Sequence, residues 1–392
     1  MGNPSNRPTS GEPLVVTVGL SPLPILLAVV HLRPVSVTPI VTAVSRTYWT
    51  RIGHLIETLT PGLRREEPIQ VDPASALHFE QRLQGRLRAT DLAYVGGTNL
   101  MVAQVYRNWL RQNDNDSRCS WYCAAEAGEL RCTETGVAVS VDAPYDGCLG
   151  LGDLVALHQP ENANWSIGPS THRQDEWKHH FVTEYVDEHS RALSKYRFPA
   201  RVNGADQHNG RRLQEEFEKF PRNARPPAGQ DIGLGDRTGL GFEAFALWAT
   251  RQALVGETDI HIDHSVTVLD TEGQRSFDLM ELDIVVQRKH RVAVISVTAN
   301  GDDLKVFQRI PEVAMKARRI GGDFTSTAVV CTRNRAWTNR HVARTDHTGF
   351  ASKTRLFSPQ HMVDDLEPAG VDNPVRTSEF GIWLRNALGL AT

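Results

Sequence analysis

LVVTVGLSPLPILLAVVHL, residues 14–32, joins a β-branched apolar run to an apolar helix-forming run. The run LVVTVG is typical of a strand buried in a parallel sheet. Gly19, Pro22 and Pro24 interrupt the stretch, and a membrane-spanning helix needs about 20 predominantly apolar residues in one helix. The stretch therefore predicts a buried strand, a tight turn and a helix, in preference to a membrane span or a signal segment.

The alternation of strand and helix continues through the first third of the chain. VSVTPIVTAV (35–44) predicts a second strand, and the apolar residues around Trp49 recur with a helical period. IQV (69–71) and DLAY (91–94) predict two more strands, each followed by a helix. This order indicates a doubly wound α/β domain. Short alternating runs between residues 117 and 147 predict β-hairpins laid on that domain.

Length and composition suit a folded protein of two or three domains. The chain has 392 residues, of which 40% are hydrophobic and 23% charged. Its net charge of -3 supplies no global field that would attract nucleic acid, so any basic surface must be local. Five cysteines are an odd number, and the chain shows no secretory leader. We therefore expect a cytoplasmic protein with no membrane partner and no disulfide framework.

Changes in composition divide the chain into four predicted segments. The N-terminus is rich in Pro, Asn, Ser and Gly, and the middle of the chain is polar. The last segment reads as a helix, a β-meander, a helix and a strand. The predicted segments are a flexible tail (1–13), the first α/β domain with its hairpin extension (14–159), a connector or helical subdomain (160–235) and a second α/β domain (236–392).

Three loops at predicted strand ends carry residues suited to an anionic ligand. Glycine admits a ligand to the main chain, hydroxyl groups add directional hydrogen bonds, and helix N-termini attract anions. Ligands of open parallel sheets bind beyond the carboxyl ends of the strands, so we expect a phosphate-bearing ligand there. The alternative is that these residues only form tight turns. The candidate residues are Gly19, Leu20, Ser21, Pro22, Ser45, Thr47, Gly96, Gly97, Thr98 and Asn99.

The succession of VGLSPLPILLAVVHLRP, a strand and YVGGTNLM resembles the CARF sensor domains of CRISPR-associated proteins. This resemblance implies a Rossmann-like domain that forms a homodimer and binds a cyclic oligoadenylate across its two-fold axis. Cyclic tetra-adenylate is favoured over hexa-adenylate. Val95 and Asn99 stand where the family has threonine and lysine, which removes a cation that would face phosphate. The matching positions are Gly19, Ser21 and Pro22 in the first loop and Gly96, Gly97, Thr98 and Met101 in the second.

The order of elements after residue 236 resembles the restriction-endonuclease-like PD-(D/E)XK domain attached to CARF in CRISPR-ancillary nucleases. The resemblance implies an endonuclease acting on DNA or RNA with Mg²⁺ or Mn²⁺, hard cations that prefer oxygen ligands. Asp283 in ELDIVV is the first metal-ligand candidate, supported by Glu243 in GLGFEAF and by Glu281. The strand RVAVISVTA places Ser296 and Thr298 at the E-x-K or S-C-K motif of the family, so its lysine is replaced by threonine.

Thr298 leaves several interpretations open. A lysine of the next helix, Lys305 or Lys316, could take the place of the missing one, and Lys305, Lys316 and Arg319 are also candidate contacts to nucleic acid. Alternatively, the protein is a cyclic-oligoadenylate-binding regulator or sink with a degenerate nuclease domain. A third reading has the sensor itself cleave the ring, but nothing in the sequence identifies a general base. RNRAWTNRHVAR (333–344) predicts either a strip for phosphate contacts and base stacking or a solvated loop.

Overall fold

The computed structural model describes two compact α/β units. One lies within Met1–Asn162 together with Gly321–Phe324, and the other within Ala163–Ile320 together with Thr325–Thr392. Most of the predicted tail and most of the predicted connector fall outside the described residues. The described residues are 11–114, 117–125, 127–143, 145, 149–158, 165–169, 182–183, 186, 234–272, 275–299, 302–345, 354–363 and 374–390.

The first unit is built on one mixed eight-stranded sheet of order β3-β2-β1-β5-β6-β7-β8, in which β4 also pairs with β2. All pairings from β3 and β4 through to β6 are parallel, whereas β7 and β8 are antiparallel to their neighbours. The strands are β1 (Pro13–Thr17), β2 (Ser36–Val41), β3 (Arg64–Arg65), β4 (Ile69–Gln70), β5 (Asp91–Ala93), β6 (Ser120–Ala124), β7 (Glu129–Cys132) and β8 (Ala138–Ser140).

In the part of this unit that the structure describes, five helices connect or flank these strands. The first is apolar on all sides, and every residue in it except His31 is buried. It begins with Pro22 at its first position, where the missing N–H group would in any case have had no partner within the helix. Ser75 and Thr98 cap two of the other helices with their side chains. The helices are α1 (Pro22–Leu32), α2 (Arg46–Leu59), α3 (Ala76–Leu83), α4 (Asn99–Asn113) and α5 (Leu151–His158).

The sheet reverses its winding at β1. The chain first moves from β1 outward to β2, and then returns to place β5 on the other side of β1. The loops after β1 and β5 therefore meet at a topological switch point. This confirms the doubly wound α/β prediction. The predicted hairpins are the antiparallel pairs β6–β7 and β7–β8, which extend the same sheet through backbone pairing, starting with Leu92 opposite Ser120.

The second unit contains a six-stranded sheet of order β14-β13-β12-β11-β10-β9. Strands β9 to β12 pair antiparallel, and β12, β13 and β14 pair parallel. The edge strand β9 comes from the predicted connector, where the sequence had suggested no strand. The strands are β9 (Trp165–Pro169), β10 (His261–Glu272), β11 (Arg275–Arg288), β12 (Arg291–Thr298), β13 (Thr325–Cys331) and β14 (Thr354–Phe357).

The core of the second unit lies between a long helix, α6, and one face of this sheet. Phe242 and Phe245 of α6 belong to the same buried cluster as Ile284 of β11 and Ile295 of β12. Of the helices that the structure describes, none is both long and apolar enough to cross a lipid bilayer. The helices of this unit are α6 (Leu234–Ala253), α7 (Asp303–Gly321), α8 (Arg335–Thr345), α9 (Pro359–Met362), α10 (Pro374–Thr377) and α11 (Glu379–Ala387).

Candidate functional site

The loops after β1 and β5 touch through their glycines. A Cβ atom added to Gly19 would overlap the amide nitrogen of Gly97 and lie 2.8 Å from its Cα. A Cβ atom on Gly96 would lie 2.8 Å from the nitrogen of Gly19 and 2.9 Å from the carbonyl oxygen of Thr17. Gly97 has a φ of +102°, which L side chains rarely adopt. Only glycine therefore permits the two strand ends to approach this closely.

A cavity of about 550 Å³ opens where these loops meet. Parts of the loops after β1, β2, β4 and β5 line it, because the carboxyl ends of parallel strands share one edge of the sheet. The volume is within the range of ligand sites, roughly 300–1,000 Å³. The lining residues of these loops and the helices they open are Val18, Gly19, Leu20, Ser21, Pro24, Thr42, Val44, Ser45, Pro73, Val95, Gly96, Gly97, Thr98 and Met101.

Most of the predicted ligand residues are thus brought together, and three are not. Pro22, Thr47 and Asn99 are absent from the lining of the cavity. Pro22 is buried at the first position of α1. The Thr47 hydroxyl donates to the carbonyl oxygen of Val44 at 3.1 Å. Asn99 is exposed at the first position of α4.

The polar groups of the cavity are neutral hydroxyls, backbone amides, the Cys123 thiol and one carboxylate, Asp323. The Thr98 hydroxyl accepts the Met101 N–H at 3.3 Å and keeps its own proton to donate. The Ser45 oxygen accepts the N–H of Thr42 at 2.9 Å. Ser21 is the N-cap residue of α1 but makes no side-chain capping bond. No lysine or arginine of the described residues lines the cavity, so binding of phosphate here would depend on these neutral donors.

A second, smaller cavity surrounds Asp283 on β11. The Asp283 carboxylate accepts the Val297 N–H at 2.6 Å and the Ser296 hydroxyl at 3.0 Å, both through Oδ2. Burial raises the pKa of Asp283, and these hydrogen bonds, with the charges of Arg309 and Lys316, oppose that rise. The full lining is Glu281, Leu282, Asp283, Val294, Ile295, Ser296, Arg309, Glu312, Val313 and Lys316.

The charged residues of α7 in this cavity form an ion-pair cluster. Glu312 accepts two hydrogen bonds of 3.1 Å from Arg309 and one of 2.6 Å from Lys316. Lys316 also donates to the carbonyl oxygen of Glu281 at 3.1 Å. Burial raises the pKa of Glu312, but the two cations outweigh it and lower the pKa overall. Glu312 therefore stays ionised.

The predicted metal pair, Glu243 and Asp283, does not meet in one cavity. Residues of α6, the helix that carries Glu243, pack on the same face of the sheet as Ile284. Successive residues of a strand point to opposite faces, so Asp283 faces the other way. Within the described residues, no group of three or more His, Cys, Asp or Glu side chains is arranged to hold a metal ion. Two cationic side chains line the cavity beside Asp283 and would repel a metal ion, so this cavity does not fit Mg²⁺ or Mn²⁺.

Of the other predicted site residues of the second unit, some line the Asp283 cavity and some lie outside it. Ser296 and Lys316 line the Asp283 cavity, whereas Thr298, Lys305 and Arg319 do not. Thr298 shares a sheet face with Ser296 but lies at the end of β12. Lys305 and Arg319 are exposed near opposite ends of α7.

The predicted strip for base stacking is wrong in its aromatic part. Trp337 is only 3% exposed and stacks on His341 at a centroid distance of 4.3 Å. Arg333 is buried and forms an ion pair with Asp303. These groups therefore stabilise the packing of α7 against α8 and are not available to stack on bases or to contact phosphates.

Two solved structures match the chain over nearly its whole length. Can2 from Sulfobacillus thermosulfidooxidans, in complex with cyclic tetra-adenylate, aligns with a TM-score of 0.54 and 14% identity over 88% of this chain and 93% of Can2. Protein VC1899 from Vibrio cholerae aligns with a TM-score of 0.57 and 11% identity over 96% of this chain and 99% of that protein. The chain has the fold of Can2 and VC1899. The sequence matches no protein-family model, and no curated protein matches it.

Within this Can2-like fold, some residues of both cavities were missed from the sequence. Thr42 and Pro73 follow the ends of β2 and β4, so the strand-end rule used for the other loops could have found them. Cys123 also lines the first cavity, and burial raises its pKa to about 11, which keeps the thiol neutral. Arg309 and Glu312 precede Lys316 by helical spacing, which places all three on one side of α7.

Proposed function

We propose that the chain is a cyclic-oligoadenylate-responsive effector of the type III CRISPR response. The observation that carries this proposal is the cavity formed by the loops after β1, β2 and β5, with Gly19 and Gly97 in backbone contact. Can2, whose fold is similar, has been solved in complex with cyclic tetra-adenylate. The resemblance of these loops to CARF sensors supports the same class of ligand.

A homodimer is part of the proposal. A cavity of about 550 Å³ is of the size that encloses one drug-sized ligand. A ring of four nucleotides is larger than such a ligand, so two cavities related by a two-fold axis would share it. We therefore expect one cyclic tetra-adenylate per two chains, and a weaker fit for the hexa-adenylate ring.

Calorimetric titration with cyclic tetra-adenylate, cyclic hexa-adenylate and linear tetra-adenylate tests this part. Val44 lines the cavity and is 66% exposed, so Val44→Trp fills the site at little cost to the fold. Val137 is also exposed but does not line the cavity, and Val137→Trp is the matched control. We expect at least tenfold weaker binding only in Val44→Trp. Failure of the wild-type protein to bind any of the three ligands would refute the sensor proposal.

For the second unit we propose phosphodiester hydrolysis of DNA or RNA at Asp283. The order of α6, the β-meander, α7 and β13 and the placement of Asp283 and Ser296 support it. The Mg²⁺ or Mn²⁺ requirement expected from the sequence remains a proposal for the activity as a whole, but no metal is assigned to the Asp283 cavity, because two cationic side chains line it and Glu243 lies on the other face of the sheet. Its test is the dependence of cutting on added metal.

A regulator or sink without nuclease activity is the second candidate. The bonds that Asp283 accepts from Ser296 and Val297, and the absence of a lysine at Thr298, favour it. In this version the ligand would still shift the protein between two arrangements, provided that it binds them with different affinity.

One assay separates the two candidates. Supercoiled plasmid and single-stranded RNA are incubated with Mg²⁺, Mn²⁺ or EDTA, with and without each cyclic oligoadenylate. Wild type is compared with Asp283→Ala, and with Asp263→Ala as a control on the exposed part of β10. Ligand-dependent cutting that only Asp283→Ala abolishes supports the nuclease. Tight ligand binding with neither substrate cut supports the regulator.

A further inference from the structure

The ammonium group of Lys316 lies in the Asp283 cavity. Lys316 belongs to α7, whereas the sequence motif would place its lysine on β12. It projects from α7, and its Nζ donates to the main chain of β11 at Glu281 O, two residues before Asp283. Its side chain is 24% exposed, so it remains accessible from solvent. Thr298 at the motif position carries no charge and does not line this cavity.

Glu312 fixes the position of this ammonium group. The spacing of Glu312 and Lys316 is i,i+4, and the acceptors Glu312 Oε1 and Glu281 O hold Nζ from two sides. Arg309 donates to both carboxylate oxygens of Glu312, which limits the rotation of that side chain. Lys316 is therefore held in one place by a network within α7 and β11.

We propose that Lys316 is the phosphate-contacting cation of the second unit, and that Glu312 is its positioning residue. This inference rests on the proposed phosphodiester chemistry at Asp283. In that hydrolysis the oxygen of water bonds to phosphorus, the bond from phosphorus to the leaving sugar oxygen breaks, and the proton lost by water ends on that oxygen. Lys316 stays protonated and stabilises negative charge on the non-bridging oxygens, a role that the Thr298 hydroxyl cannot fill.

The other basic residues of α7 fit this role less well. Lys305 is exposed near the start of the helix and does not line the cavity. Arg319 is likewise outside the lining. Arg309 lines it, but its two hydrogen bonds to the Glu312 carboxylate join it to α7 itself and to no strand of the site. Of the two basic residues of α7 that line the cavity in the described part of the chain, Lys316 is the one that donates to the main chain of the Asp283 strand.

The test compares Lys316→Met, which keeps the length of the side chain without its charge, with Lys316→Arg and with the control Arg355→Met, an exposed cation of β14 that does not line the cavity. Initial rates of plasmid and RNA cutting give kcat and KM, and fluorescence anisotropy with labelled oligonucleotides in EDTA gives binding without metal. Loss of one charge contact to the transition state lowers kcat about a hundredfold in Lys316→Met. We expect Lys316→Arg to recover part of that loss and Arg355→Met to behave as wild type.

Glu312→Gln adds a readout specific to positioning. It removes the charge that holds Lys316 but leaves Lys316 present, so we expect a smaller fall in kcat, of about tenfold, with KM nearly unchanged. Thermal unfolding and cyclic tetra-adenylate binding are measured on every variant to confirm that the fold and the first unit are intact.

The outcomes distinguish this inference from the proposed function. If wild type cuts and Asp283→Ala does not, but Lys316→Met cuts at the wild-type rate, the inference on Lys316 is overturned and the nuclease proposal stands. If wild type binds oligonucleotides without cutting them, weaker binding by Lys316→Met supports the contact and equal binding overturns it. If wild type neither cuts nor binds any nucleic acid, the nuclease proposal and this inference fail together.

Discussion

Gly19 and Gly97 pack backbone to backbone at the point where the first sheet reverses its winding. A Cβ atom on Gly19 would overlap the Gly97 nitrogen, and one on Gly97 would lie 2.9 Å from the Met101 sulfur. The obstacle to Gly19 is main chain, which cannot rotate away as a side chain can. The ligand cavity and the packing of β1 against β5 therefore depend on the same contact.

Gly19→Ala is predicted to damage both stability and ligand binding. Inserting a methyl group into a tight contact costs about 1–3 kcal/mol, and here the loop must also move away from Gly97. We expect lower thermal stability and at least tenfold weaker binding of cyclic tetra-adenylate, measured by calorimetry. Gly152→Ala is the control, because a Cβ there meets nothing within 4 Å and helix α5 should tolerate or favour alanine. Equal behaviour of the two variants would contradict the prediction.

Thr98 is predicted to serve the helix and the ligand through one hydroxyl. Its oxygen caps α4 by accepting the Met101 N–H, and its proton is free to point into the cavity. Thr98→Val should lose about 1 kcal/mol of stability with the cap and should also bind the ligand more weakly. Thr98→Ser keeps the hydroxyl and should retain both properties. Urea unfolding and calorimetry on the two variants measure the effects, and a Thr98→Val protein that binds normally would exclude the ligand contact.

The first site could be predicted because a parallel sheet brings together loops that are distant in sequence. Once β1, β2 and β5 were recognised as parallel, Ser21, Ser45 and Gly97 had to lie near the same edge. The sequence pattern does not show which side chains of each loop point into the cavity. Thr47, for example, uses its hydroxyl on the Val44 carbonyl, a local bond that competes with any ligand.

The second site was predicted less well because its geometry depends on which face of the sheet each helix covers. The motif order placed Glu243 before Asp283, but the core formed by Phe245 and Ile284 puts α6 on the opposite face from the Asp283 side chain. The pairing of β9 with β10, as in Ile167 opposite Val268, joins residues about a hundred positions apart, with no local signal in the sequence. The burial of Trp337 also has no local signal in the sequence, since it depends on how α8 packs against its neighbours.

Asp283 is predicted to make stability fall as pH rises above the acidic range. Burial raises its pKa in the folded protein above the ordinary value of 3.8, so the folded state binds the proton more tightly than the unfolded state. Stability from this group is complete below 3.8 and is lost as pH rises through the folded pKa. Urea unfolding between pH 4 and 7 should show Asp283→Asn gaining stability relative to wild type as pH rises. Asp263→Asn, on an exposed position, should show no such gain, and parallel curves for wild type and Asp283→Asn would refute the prediction.

His361 closes a capping box at the start of α9 and is held neutral by its contacts. Its Nδ1 accepts the Ser358 N–H at 3.0 Å, so the ring proton lies on Nε2, which donates to Asn339 at 3.0 Å. Protonation of Nδ1 would replace this acceptor by a donor. Burial lowers the pKa of His361 to about 4, although the nearby Glu379 carboxylate opposes the shift.

His361 is therefore predicted to make the second unit sensitive to mild acid. Its folded pKa of about 4 is below the ordinary 6.5, so the unfolded chain takes up the proton first, and stability present above pH 6.5 is lost as pH falls towards 4. The loss from this one group is at most roughly 3.5 kcal/mol, since each unit of pKa difference is worth about 1.4 kcal/mol. His361→Gln preserves a capping-box acceptor without a titrating group, so its urea unfolding curves at pH 7, 6, 5 and 4 should change less than those of wild type. His54→Gln, on an exposed position of α2, is the matched control and should follow wild type. A His361→Gln protein that loses as much stability in acid as wild type would place the acid-sensitive group elsewhere.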